Sequence, residues 1–145
     1  VFESSLVAVT ALALFIPLLV GTGGNVGAQA ATSAVRALAV GEVRPSDALR
    51  VSWRESRVGL LLGLVLGSLA FVAGWLVAGI GVGITVGVSV VLVCIWAATV
   101  GAVMPLMARA LNIDPAVISA PLVTTLVDAT GLLIYFGVAG LVLSL

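Results

Sequence analysis

A single carboxylate stands inside an apolar run near the end of this 145-residue chain. In "PLVTTLVDATGLLIYF", residues 121–136, Asp128 is accompanied by Thr124, Thr125 and Thr130. Thr124 and Asp128 share a helix face at i, i+4, and Gly131 follows three residues after the acid. A second polar cluster interrupts an apolar stretch near the beginning. There, "PLLVGTGGNVGAQAAT", residues 17–32, sets Gly21, Gly23, Gly24 and Gly27 around Asn25, with Gln29 and Thr32 close behind. Carboxylate, carbonyl, amide and hydroxyl oxygens, with no His and no thiolate cluster, are the donors that select hard cations. Two nucleotide-binding readings of the glycines fail. G-x-G-x-x-G requires glycine where Val26 stands, and a phosphate-binding Walker loop requires a lysine that this chain lacks.

The surroundings of both clusters are those of a membrane protein. The chain is 62% hydrophobic and 8% charged, against roughly 45–50% and 25% in soluble domains. Its six arginines balance six acids, and zero net charge argues against a nucleic-acid partner. Cys94 is the one cysteine, so an intrachain disulfide and a cysteine metal cluster are excluded. It reads as lipid- or helix-facing filler.

Four apolar segments are each long enough to cross a bilayer, which takes about 20 residues. They cover about 4–35, 58–79, 84–108 and 115–144. None shows the period-two alternation of a membrane β-barrel. The expected fold is therefore an all-α polytopic helical bundle in a lipid bilayer, one transmembrane domain over residues 1–145. The first and last segments are long, and internal Pro17, Pro121 and glycines predict bending or local unwinding. Asp114 is a good N-cap and Pro115 suits a first helical turn. Gly59, Gly63 and Gly67, with Gly83 and Gly87, read as stripes for close helix packing. Trp75, Trp96, Met104 and Met107 read as packing too.

Arg36, Arg44, Arg50, Arg54 and Arg57 lie in or beside the connection 36–57, and Arg109 lies in the next connection on the same face. The positive-inside rule makes that face cytoplasmic, in a multi-pass protein of the cell membrane. "RPSDALRVSWRES" resembles a short amphipathic helix at the inner surface, with Trp53 as its interface anchor. The chain begins at Val1 and has the look of a piece of a longer protein.

Asp128 is 14 residues past Asp114, about 21 Å along a helix. An ionised Asp at the bilayer centre costs at least ~2.5–3.5 kcal/mol, and no Arg or Lys stands at that depth to pair with it. Three readings follow: a protonated, purely structural acid bonded to a threonine; a proton-transfer site in a coupled transporter; or an acid facing a watery path and meeting a cation. The neighbouring hydroxyls favour the third. Asn25, 11 residues or about 16 Å before Arg36, reaches a similar depth, so Asn25 and Gln29 are expected to line the same path. Mg²⁺ keeps several waters and is usually held by one or two carboxylates. A twofold homodimer would bring two copies of Asp128 to one axis.

At "ALALFIPLLVGTGGNVGAQAAT", "RALAVGE" and "DPAVISAPLVTTLVDATGLLIYF" the chain resembles the MgtE family of magnesium channels and transporters. The resemblance implies five membrane helices per protomer, of which this chain shows the second to fifth. It also implies a homodimer whose cytosolic N-terminal and CBS domains, absent from this chain, sense Mg²⁺. It places the pore on the dimer axis and makes Asp128 the principal ligand of a hydrated Mg²⁺, the transported ion. Gly21, Gly24, Thr32, Thr124 and Gly131 match supporting positions. Ala28 and Ala120 stand where the family often has Asn, which bears on selectivity among divalent ions. No covalent chemistry is expected. The competing functional classes are a proton-coupled transporter with Asp128 titrating and a non-conducting membrane scaffold.

Overall fold

The computed structural model describes residues 2–118 and 120–144, with side chains from residue 10 onward. Four α-helices make up the bundle: α1 Phe2–Ala39, α2 Ala48–Ala78, α3 Ile80–Ala110 and α4 Ala120–Leu143. Each contains a stretch long and apolar enough to cross a membrane. The all-helical expectation is met.

The glycine-rich stretch, expected to bend or locally unwind, stays helical throughout α1. In hydrocarbon an unbonded peptide group has no water to turn to, and the α-helix satisfies the backbone locally. The last segment divides instead. Residues Pro115–Val117 form a separate 3₁₀ turn, capped by the Asp114 carboxylate accepting from the Ala116 N–H at 2.9 Å. α4 begins at Ala120 and has 24 residues, fewer than the 31 each of α2 and α3. The expected amphipathic surface helix is likewise not separate. After a 3₁₀ turn at Pro45–Asp47, residues 48–57 are the first turns of α2, with Trp53 exposed on them.

α3 is the central helix, and α1, α2 and α4 pack on it. Between α2 and α3 the glycine stripes do the work predicted for them. A Cβ at Gly63 would lie 2.8 Å from the Val91 Cα, one at Gly67 2.7 Å from the Gly87 carbonyl, and one at Gly74 2.9 Å from the Gly83 Cα. Lipid tails are as apolar as leucine, so helices in a bilayer associate through such close backbone approach. Gly101 of α3 meets the backbone of Gly27 of α1 in the same manner. Cys94 is fully buried at the α2–α3 contact, a helix-facing and not a lipid-facing position. Leu61, Leu64, Val65 and Leu69 of α2 point outward, as a lipid-facing surface requires.

α2 and α3 are joined by Gly79 alone, at φ 87°. That left-handed conformation costs a side-chain-bearing residue energy and a glycine almost nothing. Arg36 and Arg54 border one groove, while Arg109 borders another together with Val35 and Leu38 of α1, so the arginine-bearing ends of α1, α2 and α3 converge.

Candidate cation site

Asp128 sits in the third turn of α4, half-buried. Its Oδ1 is shielded from solvent and has no hydrogen-bond partner among the described residues. The room for it comes from α1. A Cβ at Gly24 would stand 3.3 Å from Asp128 Oδ1 and 3.5 Å from Thr124 Cγ2. Gly24, Thr124 and Asp128 therefore form one contact, which bears out the depth argument linking the glycine stretch to the acid. Gly23 and Gly27 serve packing, against Val93, Val123 and Val127.

The three threonines separate. Thr124 and Thr125 each donate to the Pro121 carbonyl, at 3.0 and 2.8 Å. The Thr124 proton is thus engaged while its lone pairs stay free to accept or to ligate. Thr130 lies roughly 200° around the helix from Asp128. It donates to the Leu126 carbonyl at 2.7 Å and accepts from Trp96 Nε1 at 2.7 Å.

On α1, Gly21 and Thr32 fall within roughly 80° of Gly24. A Cβ at Gly21 would meet nothing within 4 Å. Thr32 is exposed, donates to the Ala28 carbonyl at 2.8 Å, and lines a groove of about 400 Å³ with Ile118 and Ala120. This face of α1 is open in the single chain. Gly131 turns the other way and is buried, its would-be Cβ 3.6 Å from the Val93 methyls of α3.

Asn25 and Gln29 lie on the exposed side of α1, roughly 100° and 140° around from Gly24. They line a groove of about 340 Å³ with Glu55, Val58 and Leu62 of α2. Within one chain they do not reach Asp128. Among the described residues no three of His, Cys, Asp and Glu come together. One chain thus offers an ion a single membrane carboxylate, and the remaining ligands would be hydroxyls, carbonyls, water or a second copy.

A family model described as a divalent cation transporter matches residues 16–138, a span that takes in α1 from the glycine stretch onward and Asp128. The chain belongs to the MgtE family. It is 50% identical over 142 residues to the magnesium transporter MgtE of Thermus thermophilus, covering 98% of this chain and 32% of that protein. The proteins of the same name from Bacillus subtilis and Enterococcus faecalis are 36% and 35% identical, over 95% and 97% of this chain. The chain spans about a third of the length of these curated relatives. The resemblance first seen in the two polar motifs thus extends over nearly the whole chain, in a family of transporters and not of enzymes.

One residue was undervalued by sequence reading. Trp96 is 40% exposed, yet its indole N–H is spent on Thr130, two residues from Asp128. They stand 34 positions apart, and no local pattern pairs the two.

Proposed function

We propose that this chain is the ion-conducting membrane part of a Mg²⁺ transporter, functioning as a homodimer in the cell membrane with its arginine-bearing ends in the cytoplasm. Asp128 holds a hydrated Mg²⁺ on the twofold axis. The carrying observation is its shielded, unpartnered Oδ1, set against the buried Gly24 beside the Gly21 and Thr32 face of α1 that a single chain leaves open. A buried carboxylate oxygen with no donor is destabilising by itself, and a hydrated cation between two such oxygens removes that penalty. The name shared by the relatives, magnesium transporter, supports Mg²⁺ as the ion.

Gly21, Gly24, Thr32 and Thr124 form the wall around the ion in this reading. Gly131 supports it by letting α4 close on α3. Asn25 and Gln29 line the pore's edge, where the second protomer closes it. The ion passes with its inner waters, because one carboxylate per protomer is too little to replace them.

Mg²⁺ uptake into proteoliposomes by the full-length protein carrying Asp128→Asn tests the assignment. The amide keeps the shape and removes the charge, so flux is expected to fall to background. Normal flux in that variant overturns it. Retained flux that has lost only its dependence on a proton gradient would instead establish the proton-coupled reading.

A further inference from the structure

Two interhelical side-chain hydrogen bonds end on α4, one on each side of the helix. From α3, Trp96 Nε1 donates to Thr130 Oγ1 at 2.7 Å. Toward α1, the fully buried Tyr135 hydroxyl donates to the Leu12 carbonyl at 2.9 Å. At about 100° per residue, Tyr135 lies roughly 20° from Asp128 around the helix axis, and Thr130 lies roughly 200° away. The hydrogen bonds therefore pull on opposite faces of α4, two and seven residues beyond the acid.

The rest of the α4 contact surface toward α3 and α1, Val123, Val127, Gly131 and Ala139, is apolar and makes no directional side-chain bond. Directional hydrogen bonds add an angular restraint to such a surface. A turn of α4 by one residue's angle would carry Oδ1 away from Gly24. We infer that Trp96 and Tyr135 are positioning residues, which fix the rotation of α4 and hence the direction in which Asp128 presents its carboxylate. The inference rests on the reading of Asp128 as the ion's ligand. Neither residue touches the ion; each acts through the helix, as groups behind a metal ligand orient it.

The bland alternative is that Thr130 merely satisfies an indole N–H that would otherwise be stranded in hydrocarbon. The two roles differ in what they do to flux. A purely structural bond changes how many molecules are folded, and so the maximal rate. A positioning bond changes the Mg²⁺ concentration at half-maximal flux, a quantity that does not depend on yield.

The test is Mg²⁺ flux against Mg²⁺ concentration in proteoliposomes of the full-length protein, for Trp96→Phe, Thr130→Val, Thr130→Ser and Tyr135→Phe. Half-saturation is expected to rise roughly tenfold, within the range lost when groups behind a metal ligand are removed, in Trp96→Phe, Thr130→Val and Tyr135→Phe. The Trp96→Phe/Thr130→Val double variant should be no worse than either single, since one bond is lost once. Thr130→Ser keeps the acceptor oxygen and should match the parent. Unchanged half-saturation in Trp96→Phe and Thr130→Val overturns the inference, as does a Thr130→Ser variant that behaves like Thr130→Val. Asp128→Asn, run alongside, separates the two levels. If it is inactive while the other variants keep the parental half-saturation, positioning fails and the ion site stands. If it conducts normally, the ion-site reading fails, and the inference with it.

Discussion

Asp128 and Gly24 meet across the α1–α4 contact so closely that a methyl group on Gly24 would stand 3.3 Å from the carboxylate oxygen. The glycine is thus a spatial requirement of the acid and not of the turn-like sequence around it. Gly24→Ala is expected to lower Mg²⁺ flux by about tenfold, equivalent to about 1.4 kcal/mol, by pushing the carboxylate aside. Gly21→Ala, with nothing within 4 Å of the added methyl in the single chain, should leave the protomer's fold unchanged and lower flux only through crowding where two protomers meet. Uptake assays on both variants, together with their oligomeric state, check the pair.

Ion binding and stability should be linked through the same oxygen. A ligand that binds only the folded state stabilises it by about 1.4 kcal/mol at ten times its dissociation constant. Mg²⁺ is therefore expected to raise the unfolding temperature of the purified protein in detergent, and Asp128→Asn to remove that rise. Without Mg²⁺ the Asn variant should unfold at a higher temperature than the parent, because the unpaired carboxylate is gone. A thermal melt of both proteins with and without Mg²⁺ measures this.

The α2–α3 contact should tolerate no side chain where the backbones touch. Gly63→Leu and Gly67→Val are expected to destabilise by at least the ~1–3 kcal/mol typical of overpacking, since the nearest atoms are backbone at 2.8 and 2.7 Å for Gly63 and Gly67. Gly137→Ala and Gly140→Ala, where an added methyl meets nothing within 4 Å, should be near neutral. Denaturation followed by tryptophan fluorescence or circular dichroism distinguishes the two groups.

The open face of α1 predicts where two protomers touch. Single cysteines at Gly21 and Thr32, in a background with Cys94 replaced by Ala, should form disulfide-linked dimers under mild oxidation. A cysteine at Leu61 on the outward face of α2, exposed to 66%, should not. Non-reducing gel electrophoresis reads the result.

Much of this was legible in the residues, for physical reasons that also mark where legibility stops. Asp128 announced itself because a carboxylate in an apolar run has no cheap explanation, and helix rise alone set it level with the glycine stretch. The stripes at Gly59–Gly67 and Gly83–Gly87 were readable because close packing leaves a periodic trace. The glycine stretch, expected to bend or locally unwind, stays helical: those residues break helices in water, whereas a bilayer penalises every broken peptide hydrogen bond. Asn25 and Gln29 share a depth with Asp128, but depth does not give direction. Their orientation toward α2 depends on which helix lies on which flank. The Trp96–Thr130 and Tyr135–Leu12 bonds join residues 34 and 123 positions apart, and no one-dimensional pattern carries such pairs.

The one-residue joint at Gly79 has a consequence for biogenesis. The single-residue joint folds α2 and α3 back on each other, and their glycine faces meet backbone to backbone, so this hairpin is complete once residue 110 has been made. Gly24, however, meets its acid only when residue 128 has been made, 104 positions later. In the proposed reading the ion site is completed only once α4 is in place, and a nascent protein arrested before α4 inserts lacks the carboxylate proposed to hold the ion.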